Sequence, residues 1–174
     1  MASVEKFSAG AVRNQLRHNR REIEHSSNPD IDPSRQGQDY VLSPDRGMTE
    51  YDYFKQRISQ LYVYNRDDIK VMAGWVVTAP QDLDPTRYDD FFCTTYDFLE
   101  KRYGKENVVQ AIVHDDEGGQ PHLHFCFIPV VEDSKHGEGY KVCANEVLDR
   151  RELRNFILTC NAIWTNTVWK MPML

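Results

Sequence analysis

Apolar and polar positions along the chain alternate with two different periods, which predict separate strands and helices. Apolar residues that recur at every second position, or that form short runs between turn residues, predict strands. Apolar residues three and four positions apart predict helices. The predicted strands are 2–8, 39–42, 71–79, 108–114 and 122–131. The predicted helices are 11–23, 49–64, 85–103 and 149–163.

Capping and turn residues support these boundaries. Thr49 is a predicted N-cap, followed by acidic side chains in the first turn, where the helix dipole favours them. Asp149 is the predicted N-cap of the last helix, and Gly104 is the predicted end of the helix over 85–103. The stretch 26–35 is dense in turn formers and contains two prolines, so it is predicted to be a loop.

The order of elements predicts the fold class. It reads strand, helix, strand, helix, strand, helix, hairpin, helix, with a short Gly-Gly turn between the two hairpin strands. This order is typical of an α+β fold, an antiparallel β-sheet with helices mainly on one face. A length of 174 residues suits a single domain, 1–174, in which 165–174 form a poorly defined tail.

Charge along the chain is segregated, although its sum gives no global sign of nucleic-acid binding. Lys and Arg number 21 and Asp and Glu 27, for a net charge of −6. Acidic residues dominate 82–100 and 115–117, whereas arginines are concentrated near the N-terminus. Such segregation suits a phosphate-facing surface beside a metal site. The N-terminal arginines are Arg13, Arg17, Arg20, Arg21 and Arg35.

Cysteine usage and hydropathy predict a soluble cytoplasmic protein. The four cysteines contain no C-x-x-C pair, so they are interpreted as reduced, buried thiols. The sequence contains no apolar stretch of the ~20 residues needed to span a bilayer, and its N-terminus lacks a continuous apolar signal segment.

Three histidines at the predicted hairpin suggest a metal site. His122 and His124 are two positions apart on one strand, so they project from the same face. His114 ends the opposing strand, and the short turn brings it across from them. Imidazole is a ligand for Mn, Zn, Ni, Fe and Cu, and the acids at 115–117 supply oxygen ligands or hydrogen-bond acceptors. The alternative interpretation is a solvated hairpin tip without metal.

The whole segment from His114 to His124 resembles the H-x-D-E-x-x-P-H-x-H motif of the Mob/Pre (MobV-type) plasmid mobilisation relaxases, which are HUH endonucleases. Its turn holds one residue more than the family motif, which predicts a longer hairpin loop with the ligand geometry retained. Three further segments resemble family motifs in the same order: 18–21 resembles H-x-x-R, 28–35 resembles N-x-D-I-D/N-P-S-R, and 149–153 resembles D-R-x-E-L.

The resemblance implies an HUH relaxase-like fold with a central metal-binding hairpin, and a metal-dependent transesterase. Such an enzyme nicks single-stranded DNA at an origin of transfer and stays attached to the 5′ phosphate. The family's nucleophilic histidine maps onto His18, and Arg21 would hold the scissile phosphate or orient His18. Glu117 would act either as a base that contacts the metal ligands without binding the metal, or as a fourth metal ligand. The metal ligands would be His114, His122 and His124, and the cation Mn²⁺ or Mg²⁺.

Under the same interpretation, single-stranded DNA contacts the N-terminal arginines. The expected DNA-binding residues are Arg13, Arg17, Arg20 and Arg35. Arg35 has a second interpretation, an ion pair with Asp30 or Asp32 that fixes the loop.

Two alternatives remain open. The chain is a replication-initiator type HUH nuclease if a tyrosine is the nucleophile, although aromatic packing is the favoured interpretation of the tyrosines on the second predicted helix. It is a truncated, non-catalytic DNA-binding remnant if its length, which is short for a full relaxase, reflects lost function. The tyrosine candidates are Tyr51, Tyr53, Tyr62 and Tyr64. The sequence does not define which DNA site is recognised, nor does it define the oligomeric state.

Overall fold

A computed structural model describes residues 1–23, 31–32, 34–136 and 139–167 of the chain. Its strands are β1 (Ala2–Ser8), β2 (Tyr40–Val41), β3 (Lys70–Thr78), β4 (Val108–His114), β5 (His122–Phe127), β6 (Val130–Asp133) and β7 (Gly139–Val142). Its α-helices are α1 (Ala9–Asn19), α2 (Glu50–Ile58), α3 (Tyr88–Tyr103), α4 (Ala144–Val147) and α5 (Arg150–Thr167). Short 3₁₀ turns occupy Gln36–Gln38, Pro85–Arg87 and Lys105–Asn107.

The main sheet contains five antiparallel strands in the order β1-β3-β5-β4-β2. The hairpin of β4 and β5 is therefore central, and β1 and β2 form the edges. This arrangement confirms the α+β class, the antiparallel sheet and the central hairpin. Strands β6 and β7 form a separate two-stranded ribbon.

The two faces of the sheet have different partners. The longest helices, α3 and α5, cover one face, where Leu123 and Phe125 of β5 join an apolar core with Phe92 and Phe156. Their position agrees with the expectation that helices lie mainly on one face. The shorter helices α1 and α2 pack against the opposite face, where a second apolar cluster includes Leu16. Both faces are therefore covered, and the expectation underestimated the second layer.

The predicted caps are present. The backbone N–H of Asp52 donates to Thr49 Oγ1 at 3.1 Å, and that of Glu152 donates to Asp149 Oδ1 at 2.6 Å. Gly104 ends α3 with φ of 90°, a conformation in which glycine has no Cβ to clash.

Two elements end earlier than the hydrophobic pattern predicts. Helix α2 ends at Ile58, not near Tyr64, because the chain turns and the backbone of Tyr62 bonds to the β6–β7 ribbon. Strand β5 ends at Phe127, since Pro129 lacks an N–H to continue the ladder.

At the C-terminus, α5 continues to Thr167, so the first residues of the predicted tail are helical. The rest of that tail, 168–174, lies outside the described residues, as do 26–30 and Pro33 of the predicted loop. No helix in the described ranges is long and apolar enough to cross a membrane.

Candidate active site

Three histidines converge at the open end of the central hairpin. Antiparallel pairing places His114 directly opposite His122, and His124 lies two residues further on the same face of β5. The ring centroids are 4.5 to 5.4 Å apart. One nitrogen from each ring lies within 4.8 Å of the other two. The predicted convergence is therefore present.

The hydrogen bonding of His114 prepares one nitrogen for a cation. Its Nε2 lies 2.7 Å from the carbonyl oxygen of Asn19, and a carbonyl can only accept, so Nε2 carries the proton. Its Nδ1 is then unprotonated and carries a lone pair. This atom is buried and has no hydrogen-bond partner among the described residues. A histidine whose second nitrogen donates to a carbonyl is the usual arrangement of a metal ligand. The residues present therefore fit a metal ion.

Burial keeps two of these imidazoles neutral. It lowers the pKa of His114 to about 4, and the bond to the Asn19 carbonyl only partly opposes that effect. Burial also lowers the pKa of His124 well below its ordinary value, with smaller contributions from the neighbouring imidazoles and Arg21. Neutral imidazole is the form that binds a metal, so both side chains are in a state that can bind a cation near neutral pH.

His18 lies beside this cluster. It occupies the last turn of α1 and lines, together with His124 and Gln15, a cleft of about 500 Å³. Its charge also contributes to the lowered pKa of His124. The structure thus places the predicted nucleophile next to a predicted metal ligand, with access to solvent through the cleft.

Arg21 binds the carboxylates of the hairpin loop. Its Nε and Nη2 donate to Asp116 at 3.0 and 2.5 Å, and Nη2 also donates to Glu117 at 2.7 Å. A third carboxylate, Asp39, is 3.8 Å away. Arg21 has φ of 58°, an uncommon value for a residue with a Cβ, which turns the chain immediately after α1. Its clearest contacts are therefore to the loop that carries His114 and His122.

Glu117 stands between Arg21 and the histidines. Its Oε1 accepts from Arg21, and its Oε2 is 3.9 Å from Nε2 of His122. His114, Asp116 and Glu117 also form a second group with ligand atoms within 4.8 Å. Because Arg21 already pairs with both carboxylates of that group, the three histidines are the better cation site.

The predicted N-terminal loop packs on the hairpin loop. Ile31 forms an isolated antiparallel bridge with Glu117, and the backbone N–H of Asp32 donates to the carbonyl of Asp116 at 2.7 Å. Arg35 pairs with Asp115 at 2.9 Å. The N-terminal loop thus holds the segment that connects β4 to β5.

The ion pair of Arg35 is with the hairpin loop, in place of the predicted pairing within its own loop. Asp32 instead accepts from the backbone N–H and the hydroxyl of Ser34, at 2.9 and 2.7 Å. Asp30 lies outside the described residues.

Arg13 and Arg17 of α1, together with Arg20 immediately after it, line a cleft of about 700 Å³ between α1 and α2. Arg13 lies over the ring of Tyr51, with its guanidinium carbon 5.5 Å from the ring centroid. Arg17 is 4.0 Å from Glu22, and Arg20 forms a close ion pair with Glu50. All three are exposed, so they are accessible to a polyanion, although Arg20 is already paired.

The tyrosine candidates make packing and hydrogen-bond contacts. Tyr51 stacks on Phe54, and the hydroxyl of Tyr53 donates to the carbonyl of Glu106 at 2.7 Å. Tyr62 and Tyr64 instead contact His136 beside the β6–β7 ribbon. These contacts agree with aromatic packing.

Sequence reasoning missed two buried polar residues beneath the site. Asn19 and Gln110 are 1% and 0% exposed, and the Asn19 amide donates to Gln110 Oε1 at 2.9 Å. Gln110 is the one polar side chain in the apolar run 108–113, and that interruption was a signal that the sequence offered.

Comparison with known proteins places the chain among plasmid proteins. The family profile described as "Plasmid recombination enzyme" (Mob_Pre) matches residues 1–167. A plasmid recombination enzyme from Bacillus thuringiensis is 33% identical over 86% of this chain and 33% of its own length. One from Streptococcus agalactiae is 31% identical over 89% of this chain and 31% of its own length. The chain thus spans about a third of the length of these relatives.

Solved structures agree with this assignment. The MobM relaxase domain bound to plasmid pMV158 oriT DNA, in a Mn-bound crystal structure, is 28% identical with a TM-score of 0.78, over 95% of this chain and 85% of that chain. The conjugative relaxase TrwC, in a metal-bound complex with oriT DNA, is 12% identical with a TM-score of 0.55, over 98% and 70% of the two chains, and shows the fold alone. Because the family profile covers nearly the whole chain, the protein belongs to the Mob_Pre plasmid recombination enzyme family.

Proposed function

We propose that residues 1–174 form a single nicking domain, a relaxase that cuts one strand of DNA at a plasmid origin of transfer. The observation that carries the proposal is the position of His18, which shares a cleft with His124 of the three-histidine cluster. A nucleophile beside a cation site is the arrangement that phosphodiester transesterification requires. MobM, whose relaxase domain is bound to oriT DNA with Mn, supports the same substrate and cation for this chain.

The proposed chemistry starts at the imidazole of His18. Its nitrogen lone pair attacks phosphorus, a nitrogen–phosphorus bond forms, and the bond from phosphorus to the 3′ oxygen breaks. The departing 3′ oxygen gains a proton, while the phosphorylated imidazole loses one. The protein then holds the 5′ phosphate covalently. Because bond energy is conserved, a free 3′ hydroxyl can reverse the reaction and reseal the strand.

The other site residues are proposed to hold the cation, to fix the hairpin loop and to offset the negative charge of the phosphate. His114, His122 and His124 would hold the divalent cation, Mn²⁺ or Mg²⁺, which when bound withdraws electron density from a phosphate oxygen. Arg21 fixes Asp116 and Glu117, and therefore the loop between the ligand strands. Its buried positive charge also lies close enough to the histidines to lower their pKa, so it adds to the field that a phosphate would meet.

The DNA is proposed to run from the His18 cleft along α1, where Arg13 and Arg17 are exposed. The ion pair of Arg20 with Glu50 must open or remain as a spacer for this path to be used. Arg35, already paired with Asp115, would act mainly by holding the hairpin loop. These roles predict that Arg13 and Arg17 affect DNA affinity more than Arg35 does.

A cleavage assay tests the proposal. Single-stranded oligonucleotides that carry origin-of-transfer sequences are incubated with the protein and Mn²⁺, and the covalent adduct is detected on a denaturing gel. The adduct should form with the wild type and be lost in His18→Ala. His136→Ala is the matched control, because that histidine lies at the β6–β7 ribbon and should not affect the adduct.

Two outcomes would contradict the assignment. An adduct that persists in His18→Ala but disappears in Tyr51→Phe or Tyr53→Phe would identify a tyrosine nucleophile. Binding of the oligonucleotide without any cleavage, under every divalent cation tried, would favour the non-catalytic remnant.

A further inference from the structure

A buried network of amides joins the helix that carries His18 to a strand that carries a metal ligand. The Asn19 side chain accepts from Gln15 Nε2 at 2.9 Å and donates to Gln110 Oε1 at 2.9 Å. Gln110 in turn donates to the carbonyl of Leu16 at 3.1 Å. Two bonds therefore connect the last turn of α1 to β4, with both amides fully buried.

The backbone of Asn19 makes the third connection. Its carbonyl accepts from Nε2 of His114, the ligand at the end of β4. Asn19 directly follows His18 in the chain. One residue is therefore linked covalently to the proposed nucleophile and by hydrogen bonds to both Gln110 and a proposed ligand.

Burying these amides between α1 and β4 costs more free energy than burying apolar side chains in the same place would. A buried amide loses its hydration and must recover it in hydrogen bonds, so a pair of apolar side chains would fill the same space without that requirement. Buried polar networks whose members are satisfied fix one geometry, whereas apolar packing tolerates small shifts. Misplacement of a reacting group by about 1 Å can reduce a rate about 10²-fold.

We propose that Asn19 is a positioning residue, which fixes His18 relative to the metal-ligand hairpin through its amide bond to Gln110. This inference rests on the proposed function for the role of His18. All three proposed ligands lie on the hairpin itself, so the network sets the distance from nucleophile to cation without supplying a ligand.

The first test separates positioning from metal and DNA binding. Asn19→Ala keeps the backbone carbonyl for His114 but removes the side-chain hydrogen bonds to Gln15, Gln110 and Cys126, the last from Nδ2 to Sγ at 3.5 Å. We expect single-turnover nicking to fall about 10²-fold at saturating Mn²⁺ and oligonucleotide, while Mn²⁺ affinity by calorimetry and oligonucleotide affinity stay near wild type. A nicking rate equal to the wild-type rate, or a parallel loss of all three quantities, would overturn the inference.

The second test does not depend on activity. Crystal structures of the wild type and Asn19→Ala, each with Mn²⁺ bound, measure the distance from the His18 imidazole to the cation. We expect the ring of His18 to lie about 1 Å further from Mn²⁺, or to lose its single orientation, in Asn19→Ala. The same distance and orientation in both proteins would overturn the positioning role, whether or not the chain nicks DNA, whereas the failure of His18→Ala to affect nicking would concern only the nucleophile.

Two further variants control for stability and for the pairing. Thr95→Val removes buried hydrogen bonds to Phe91 and Trp164 on the opposite face of the sheet, and should lower stability without changing the nicking rate.

Gln110→Leu should slow nicking as Asn19→Ala does, and the double variant should be no slower than either single one. Fully additive losses would show that Asn19 does not act through Gln110. If Asn19→Ala does not fold, Gln15→Ala removes one bond from the partly exposed side, and a wild-type rate there would count against the network.

Discussion

The two faces of the central hairpin differ in what their side chains require. On one face, Leu123 and Phe125 are fully buried against α3 and α5 and need only close packing. On the other face, His122 and His124 alternate with them in the same strand and lie near His18 of α1. The first face is stabilised by the area it removes from water, whereas the second contains groups that are costly to bury.

The second face meets that cost through specific bonds. His114 donates to a carbonyl, Asn19 and Gln110 bond to each other, and Asp116, which is fully buried, bonds to Arg21. The comparison indicates that apolar burial is sufficient for the α3 and α5 face, whereas the opposite face combines a second apolar cluster with specific hydrogen bonds to its buried polar groups.

The largest expected effects come from two adjacent residues on opposite faces. Phe125→Ala should destabilise the fold by about 3–5 kcal/mol, because it leaves a cavity in the core, without changing the nicking rate of the folded fraction. His124→Ala should leave stability much less affected but reduce nicking roughly 10²–10³-fold through the loss of a proposed cation ligand. Urea unfolding and single-turnover cleavage measure the two effects. Equal loss of activity in both variants, measured where both are folded, would remove the distinction between the faces.

Two adjacent arginines near the histidines provide a second comparison, between a buried and an exposed ion pair. Arg21 is 11% exposed at its side chain and pairs with Asp116, which is 0% exposed, whereas Arg20 and Glu50 are 37% and 20% exposed. Arg21→Ala leaves a buried carboxylate without its partner and should cost about 3–5 kcal/mol. Arg20→Ala breaks a surface pair and should cost less than about 1 kcal/mol. The denaturation midpoint tests both, and a smaller cost for Arg21→Ala than for Arg20→Ala would contradict the proposed clamp.

Acid should lower the free energy of unfolding through the buried histidines, which lie on the hairpin face opposite the α3 and α5 core. Burial lowers the pKa of His114 to about 4 in the folded protein, below the ordinary value of ~6.5 expected in the unfolded chain. The unfolded state therefore binds more protons in this window, and stability falls as pH drops from about 6.5 to about 4. The loss attributable to His114 approaches about 3 kcal/mol.

The measurement compares metal-free wild type with His114→Gln, because carboxylates titrate in the same range in both proteins. The variant should show a flatter dependence of unfolding free energy on pH between pH 7 and pH 4. Parallel curves for the two proteins would show that His114 is not held neutral by burial.

The sequence predicted the parts of this molecule that depend on local pattern. Alternation in β5 separated His122 and His124 from the core side chains, and the turn chemistry of Thr49, Gly104 and Asp149 marked helix limits correctly. These features follow from the strand period and from capping bonds between residues a few positions apart.

Contacts between distant segments could not be predicted in the same way. The pairing of Arg35 with Asp115 and the bond from Asn19 to Gln110 join residues about 80 and 91 positions apart, and neither follows from a periodic pattern. The early end of α2 depends on its pairing with the β6–β7 ribbon, whose strands are only four residues each and flank a polar loop in sequence. Tertiary pairing overrides local propensity at these places.

The smallest expected effects concern the two N-caps, one on each side of the sheet. Thr49→Ala and Asp149→Ala each remove a cap bond, at α2 and α5 respectively, and each should cost about 1 kcal/mol of stability. Neither should change nicking by the folded protein, because neither cap contacts the histidines in the described structure. If Thr49→Ala slows nicking while Asp149→Ala does not, then α2 belongs to the working surface on the histidine face of the hairpin. The cleft that α2 shares with Arg13 and Arg17 would then be part of the DNA path, and its loss of order would explain the slower reaction.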